Sequence, residues 1–220
     1  MACVGMSQAA SDKVVGFYPY WSQYAQFYAK DIRYNTVTDI HYVGLLPAED
    51  GSLALADEND AENFKNLVQM SKENNVKLVV SVGGMEAEGN LKAIASSDET
   101  LSSFVSNVSS WISENGGDGI ELDWQNVTSE DKEAYGKMLN ALVDGLSGSI
   151  VTAVVYPSAG MDAYDVEALN RAAYVDVFMA DQMTEESSEV VPNQGASFVK
   201  SSLDQVSGAG VQSDKLVHVV

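Results

Sequence analysis

The chain has 220 residues, which is enough for one domain with a sizeable hydrophobic core. Its 32 acidic and 12 basic side chains give a formal net charge of −20. Such a negative field repels nucleic acids and anionic membrane surfaces, so we exclude both as partners. The acidic excess is itself typical of a solvated surface, and it names no ligand.

The first twelve residues are small and polar, and we expect a disordered tail or a remnant of processing or cloning there. The single cysteine, Cys3, cannot form an internal disulfide. No signal peptide is visible, and no apolar stretch is long enough to span a bilayer. We therefore predict one domain over residues 13–220, from which a secretion signal has been removed if the protein is exported.

Short apolar runs alternate with amphipathic stretches along the rest of the chain. Seven runs are predicted to be strands, and several are rich in Val and Ile on both faces, as expected when each side is covered. Their ranges are 14–18, 40–46, 77–82, 119–124, 150–156, 175–179 and 215–220. Helical spacing of apolar residues predicts helices over 60–74, 97–115 and 129–146. This alternation indicates a parallel α/β fold.

Two parallel architectures fit this order of elements, a doubly wound sheet and a (β/α)₈ TIM-type barrel. The first strand leads into residues 16–21, which lack the glycine fingerprint of a dinucleotide-binding turn. Aromatic residues stand there instead, and Phe17 or Trp21 suits a cleft that binds a ring. We predict the barrel. Because seven strands are found and a closed barrel needs eight, we expect it to be truncated before the eighth strand.

The segment 116–127 carries the strongest functional pattern. A Gly-Gly turn leads into a strand in which Glu121, Asp123 and Gln125 alternate with apolar residues. Successive side chains of a strand point to opposite faces, so these three share one face. Polar groups on a buried face are unfavourable unless they bind something, and this predicts a site. The alternative is the solvent-exposed face of an edge strand.

Two further features of the sequence bear on its chemistry. Gly83 and Gly84 follow the third candidate strand, either as a turn that needs positive φ or as a place where the backbone approaches a ligand. His41 and His218 are far apart and lack the spacing of metal ligands. We therefore predict no metal and no cofactor.

The run 118–125 resembles the Asp-x-x-Asp-x-Asp-x-Glu signature of family 18 glycoside hydrolases, the chitinases and endo-β-N-acetylglucosaminidases. Four further matches follow the order of that family. Residues 14–21 resemble its first strand, 81–84 its Ser-x-Gly-Gly turn, 151–157 its fifth strand and 174–183 its sixth strand. The resemblance covers residues 14–220 and implies the barrel fold.

The resemblance also implies a mechanism in which the acetamido oxygen of the sugar attacks the anomeric carbon, so that the protein supplies no nucleophile. It assigns the proton donor to position 125, the orientation of the acetamido group to Asp123, and support of Asp123 to Glu121 and Asp118. Asp118 lies off the polar face and could instead cap the turn. The implied substrate-binding residues are Phe17, Trp21, Gly83, Gly84, Trp124, Asp181 and Met183. Met183 stands where the sixth strand of the family has a tyrosine.

The proton donor of the family is a glutamate, whereas this chain has Gln125. A carboxamide can donate a hydrogen bond but cannot transfer a proton at ordinary pH. We therefore predict a binding domain for β-1,4-linked N-acetylglucosamine oligosaccharides or N-glycan cores, secreted or at the cell surface, with impaired hydrolysis. Two alternatives are a natural hydrolase carrying an introduced Glu→Gln change, and a scaffold or interaction module without a sugar site.

Overall fold

The computed structural model describes residues 13–178 and 194–219 of the chain. The predicted tail 1–12 and the predicted site residues Asp181 and Met183 lie outside these ranges. Within them, the strands are β1 (Val15–Pro19), β2 (Asp39–Pro47), β3 (Leu53–Leu55), β4 (Lys77–Gly83), β5 (Gly119–Asp123), β6 (Ile150–Val155), β7 (Val175–Phe178) and β8 (Leu216–Val219). All seven predicted strands are confirmed, and the short β3 was not predicted.

The sheet follows the order of the chain, β1-β2-β4-β5-β6-β7-β8, and each neighbouring pair is parallel. Among the described strands, only β3 runs antiparallel, and it pairs with the C-terminal end of β2. A doubly wound sheet would reverse its strand order at a switch point, and this sheet does not. Instead the seven parallel strands curl into part of a (β/α) barrel, which confirms the predicted fold class.

Helices cover the outside of the sheet. They are α1 (Ala61–Glu73), α2 (Glu88–Ala95), α3 (Asp98–Asn115), α4 (Lys132–Gly145), α5 (Val166–Arg171) and α6 (Ala196–Gly208). The three predicted helices are α1, α3 and α4; the other three were not predicted. No helix of the described ranges has both the length and the apolar character needed to cross a bilayer.

The longest helix, α3, shows how local sequence sets an element. The side chain of Ser97 accepts a hydrogen bond from the backbone N–H of Thr100, and two acidic residues follow in the first turn. An apolar stripe faces the sheet and is buried, formed by Leu101, Phe104, Val108 and Ile112. The helix ends at Gly116, where φ is +86° and an L-residue would be strained.

The hydrophobic core lies between the sheet and these helices, and it includes the large buried rings of Trp124, Tyr135 and Tyr164. The side of the sheet that faces the barrel interior differs, because it holds buried polar groups: Asp39, His41, Glu121, Thr152 and Asp176. The barrel interior therefore holds the polar side chains that a binding site would need.

Candidate functional site

A cavity of about 380 Å³ opens at the carboxyl ends of the strands, where barrel proteins form their binding sites. Each of the seven parallel strands contributes to its wall. The contributing residues are Phe17, Val43, Ser81, Asp123, Val154, Phe178 and Val219. A larger surface groove of about 550 Å³ runs along α1 beside Tyr28 and Asn63, but Glu121, Asp123 and Gln125 do not line it. The smaller cavity is therefore the candidate site.

The structure brings Glu121, Asp123 and Gln125 together on the wall of this cavity. The strand β5 ends at Asp123, and Gln125 lies in the turn that follows. The side-chain amide of Gln125 donates a hydrogen bond to Oδ2 of Asp123 at 2.9 Å. The alternation of side chains along the strand was thus sufficient to group the three residues.

Asp123 is an acidic residue on the wall of the cavity, and its side chain is held from two directions. Its Oδ1 accepts a hydrogen bond from the hydroxyl of Tyr156 at 2.6 Å, opposite the amide of Gln125. Burial, and then the negative charge of Glu121, raise the pKa of Asp123 to about 6, although both hydrogen bonds act to lower it. Asp123 therefore changes charge in the mildly acidic range.

Tyr156 is a site residue that the sequence interpretation missed. It follows the end of β6, and it has the same parity along the chain as Thr152, which pairs with Glu121 across the sheet. The parity argument that grouped the acidic residues could have found it. Burial and the charge of Asp123 raise the pKa of Tyr156, so its hydroxyl stays protonated and acts as a donor.

Behind the cavity wall, Glu121 meets a buried histidine. Nδ1 of His41 lies 2.8 Å from Oε1 of Glu121, and Nε2 lies 2.8 Å from the hydroxyl of Tyr174. Burial alone would favour a protonated Glu121, but the adjacent His41, together with hydrogen bonds from Ser81 and Asp176, lowers the pKa of Glu121. Burial and the charge of Glu121 raise the pKa of Asp176 well above its ordinary value.

Ligand atoms of His41, Glu121 and Asp176 lie within 4.8 Å of one another, which is a spacing that a divalent ion could bridge. However, a nitrogen that binds a metal must be free of a proton, and both ring nitrogens of His41 already have oxygen partners at 2.8 Å. We therefore interpret this trio as a hydrogen-bonded group rather than as a metal centre.

Two predicted sugar-binding residues line the cavity: Phe17, on its inner wall, and Trp21, which is 53% exposed at its rim. Gly83 and Gly84 fix the geometry of the strand end. A Cβ on Gly83 would lie 2.1 Å from the backbone oxygen of Asp123, and the N–H of Gly84 donates to that same oxygen at 2.8 Å. The missing Cβ of Gly83 therefore allows the end of β4 to approach the backbone of Asp123.

Like Gly83 and Gly84, two further predicted site residues do not line the cavity. Trp124 is fully buried, and its ring packs against Tyr135 on the helix side of the sheet, because adjacent residues of a strand point to opposite faces. Asp118 immediately precedes the first residue of β5, at the end opposite to the cavity. There it accepts hydrogen bonds from the ammonium of Lys77 and the N–H of Leu78. It ties two strands together.

Fold and site define a (β/α) barrel protein with buried carboxyl groups at the carboxyl ends of its strands. Residues 13–220 match the model of the family described as glycosyl hydrolases family 18, and the chain belongs to this family.

Several solved structures share the fold. The Group IV chitinase of Ostrinia furnacalis is 22% identical, with a TM-score of 0.82 over 95% of this chain and 66% of that chain. A chitinase from Trichuris suis is 21% identical, with a TM-score of 0.79 over 94% and 65% of the two chains. The chitinase domain of the spore coat protein CotE from Clostridium difficile is 15% identical, with a TM-score of 0.79 over 100% and 68%. The chain thus spans about two thirds of the length of these structures.

Proposed function

We propose that residues 13–220 form a carbohydrate-binding domain for N-acetylglucosamine oligosaccharides of the chitin type, with hydrolysis impaired at position 125. The observation that carries this proposal is the hydrogen bond from the amide of Gln125 to Asp123 in the cavity. An amide stands where the mechanism of the family needs a group that gives a proton to the leaving oxygen.

The chemistry of the cavity suits an acetylated sugar. Asp123 offers carboxylate oxygens that can accept the N–H of an acetamido group, which orients that group toward the anomeric carbon. The amide of Gln125 can hydrogen-bond to a glycosidic oxygen in the way that a protonated glutamate does, but without proton transfer. Binding is therefore retained in this proposal while the general acid step is lost.

The walls suit the ring of a sugar. Phe17, Trp21 and Phe178 present aromatic faces around the cavity, and Trp21 and Phe178 are partly exposed at its mouth. Pyranose rings have apolar C–H faces and polar edges. A cavity lined by both aromatic and polar side chains can contact both parts of such a ring.

A second compartment of about 380 Å³ adjoins the first, and Gln125 and Tyr156 line both. Its other lining includes Asn126 and Ser158, which offer further hydrogen-bonding groups. A chain of sugars could lie across Gln125 with rings on either side of the linkage. This favours an oligosaccharide over a monosaccharide.

Two of the solved structures support a ligand of the chitin type rather than an N-glycan core. The Group IV chitinase of Ostrinia furnacalis is described in complex with allosamidin, and catalytic domain 2 of the Group II chitinase of that insect in complex with penta-N-acetylchitooctaose. These ligands belong to those proteins, and their transfer to this chain is part of the proposal. An extracellular location stays a prediction.

The test is to measure binding and hydrolysis of chitin oligosaccharides by this chain and by the Gln125→Glu variant. We expect the original chain to bind without measurable turnover. The variant should hydrolyse about 10²–10⁴-fold faster, the usual contribution of a general acid. Gln125→Ala is the matched control, which should gain no turnover. Absence of binding, or binding that Asp123→Ala leaves unchanged, would contradict the proposal and favour a scaffold role.

The alternative of a working hydrolase with an introduced change makes a different prediction. The natural gene would then encode glutamate at position 125, and Gln125→Glu would reach the turnover of an ordinary enzyme. A naturally encoded glutamine with weak recovery would favour a domain that evolved for binding.

A further inference from the structure

A chain of buried hydrogen bonds crosses the barrel interior behind the candidate site. The ammonium of Lys13 donates to Oδ1 of Asp39 at 2.7 Å, and the hydroxyl of Tyr174 donates to the same oxygen at 3.1 Å. His41 links this group to Glu121, with its two ring nitrogens each 2.8 Å from an oxygen. Except for Lys13, every residue in this series of hydrogen bonds is buried.

The positions of the protons follow from donor and acceptor capacity. Asp39 faces an ammonium group and accepts, so the single proton of Tyr174 points toward Asp39. The oxygen of Tyr174 is then the acceptor, and Nε2 of His41 must carry a proton. One more proton lies in the 2.8 Å contact between Nδ1 and Glu121, and a proton held on Nδ1 leaves Glu121 ionised, in the direction of its lowered pKa. His41 and Glu121 thus form a buried ion pair.

This ion pair is oriented with respect to the cavity. Glu121 lines the wall beside Asp123, whereas His41 does not line it and lies on the far side of Glu121. The negative end of the pair therefore faces Asp123. The other titratable groups that interact electrostatically with Glu121 or Asp123 are Tyr135 on α4, Tyr156 after β6, Tyr164 before α5, and Tyr174 and Asp176 at β7, with Lys13 and Asp39 beyond the last two.

We propose that His41 is a positioning residue, which holds Glu121 in its ionised form beside Asp123 and so sets the protonation state of Asp123. The consequence for ligand binding rests on the function proposed above, because an ionised Asp123 accepts an acetamido N–H more strongly than a protonated one. The role of His41 within the protein does not depend on the ligand.

Loss of His41 should have a directional effect. Without the imidazolium, burial favours the protonated form of Glu121, and Asp123 then loses its anionic neighbour. Asp123 should therefore ionise at lower pH than the original value of about 6. We expect a decrease of about one pKa unit, which is typical for the removal of one nearby charge.

The experiment is to titrate the carboxyl carbon of Asp123 by ¹³C NMR in the free protein, for the original chain and for His41→Gln. The same pair is then compared in the pH dependence of binding to a chitin oligosaccharide. Binding should weaken as the pH falls and Asp123 becomes protonated, and we call this part of the pH profile the acidic limb of binding. We expect the NMR midpoint of Asp123 and this acidic limb to move to lower pH together. An unchanged NMR midpoint would overturn the role of His41. A shifted midpoint with no sugar binding at any pH would overturn the proposed function instead.

Two further variants make the result specific. Glu121→Gln removes the anion with little change of shape and should lower the midpoint of Asp123 similarly, while adding His41→Gln to it should give no further shift. If His41→Gln does not fold, an unchanged midpoint in Glu121→Gln would itself overturn the proposal. His218→Gln is the matched control, because no hydrogen bond or ion pair joins His218 to Glu121 or Asp123 in the described part of the chain, and it should leave the midpoint unchanged.

Discussion

The surroundings of Asp123 disfavour the ionised form of its carboxyl group. It is only 6% exposed, and its pKa of about 6 is about two units above the value of 3.8 for a free aspartate. A group whose pKa is raised by folding contributes stability below its unfolded pKa and loses that contribution as the pH rises through its folded pKa. Ionised Asp123 should therefore destabilise the fold above pH 6, and two units correspond to about 3 kcal/mol.

The Asp123→Asn variant should consequently be more stable than the original chain at pH 8 and equally stable near pH 4. We expect a gain of about 1 to 2 kcal/mol in the free energy of unfolding, less than the full value because asparagine has one acceptor oxygen for two donors. Urea denaturation at both pH values measures it. Asp204→Asn, which changes an exposed carboxylate on α6, should have an effect below about 0.5 kcal/mol. Equal stability of Asp123→Asn and the original chain at pH 8 would contradict the argument.

Tyr156 acts on Asp123 in the direction opposite to that of burial. Its hydrogen bond at 2.6 Å stabilises the carboxylate and lowers the pKa of Asp123. Tyr156→Phe should therefore raise the pKa of Asp123 above about 6 and move the acidic limb of sugar binding to higher pH. This is the reverse of the shift expected for His41→Gln.

The pH dependence of binding to a chitin oligosaccharide, measured by calorimetry, checks this prediction. Tyr34→Phe is a suitable control, because that buried hydroxyl donates to a backbone oxygen of the segment before β2 and not to the site. It can lower stability but should not move the acidic limb. A shift to lower pH for Tyr156→Phe would show that the tyrosine does not stabilise the carboxylate.

At the scale of elements, the end of β4 depends on a glycine. Gly83 has φ of +124°, and an added Cβ would lie 2.1 Å from the backbone oxygen of Asp123. Gly83→Ala must therefore separate β4 from β5 or distort both, and we expect a loss of more than about 3 kcal/mol in the free energy of unfolding. The displacement would also move Asp123 and weaken sugar binding.

Two neighbouring glycines provide graded controls for thermal and urea denaturation. Gly84 has φ of +95° but open space around an added Cβ, so Gly84→Ala should show only backbone strain of about 1 to 2 kcal/mol. Gly89 lies in α2 with nothing near an added Cβ, and Gly89→Ala should stabilise the protein by about 0.5 to 1 kcal/mol. Equal effects at all three positions would exclude the close approach as the cause.

Some elements are marked more clearly in the sequence than others. Strands such as β4 and β6 were predictable because Val and Ile on both faces mark a buried parallel strand. The helices α2 and α5 were missed because they have 8 and 6 residues, too few for a clear apolar periodicity. Local patterns therefore defined the sheet better than the helices that cover it.

The site shows the same limit. Alternation along one strand grouped Glu121 with Asp123, and applied strictly it would have removed Trp124 from the sugar-binding candidates. The partner of Glu121 could not be found in this way, because His41 is 80 residues away in sequence and only the pairing of strands brings the two together. Alternation along a single strand predicts which side chains face a site. The charge of those side chains depends on tertiary contacts, which this alternation does not show.

At the scale of the whole molecule, sheet edges and net charge act in opposite directions. Within the described ranges, β1 and β8 lie at the two edges of the sheet, and edge strands present backbone groups that can pair with another chain. The net charge of −20 makes two copies repel each other at neutral pH. Self-association of the 220-residue chain should therefore be limited by electrostatic repulsion.

Salt should relieve this repulsion, because the Debye length falls from about 30 Å at 0.01 M to about 3 Å at 1 M. We expect sedimentation velocity to show monomers at low salt and increasing association at high salt, with a similar increase as the pH approaches the isoelectric point of about 4.1. Val14→Glu tests the edge itself: this residue precedes β1 and is 47% exposed, so an added carboxylate there should reduce association even in high salt. A chain that stays monomeric under every condition would mean that the two edges are already protected, and association that falls with salt would mean that ion pairs rather than strand edges join the copies.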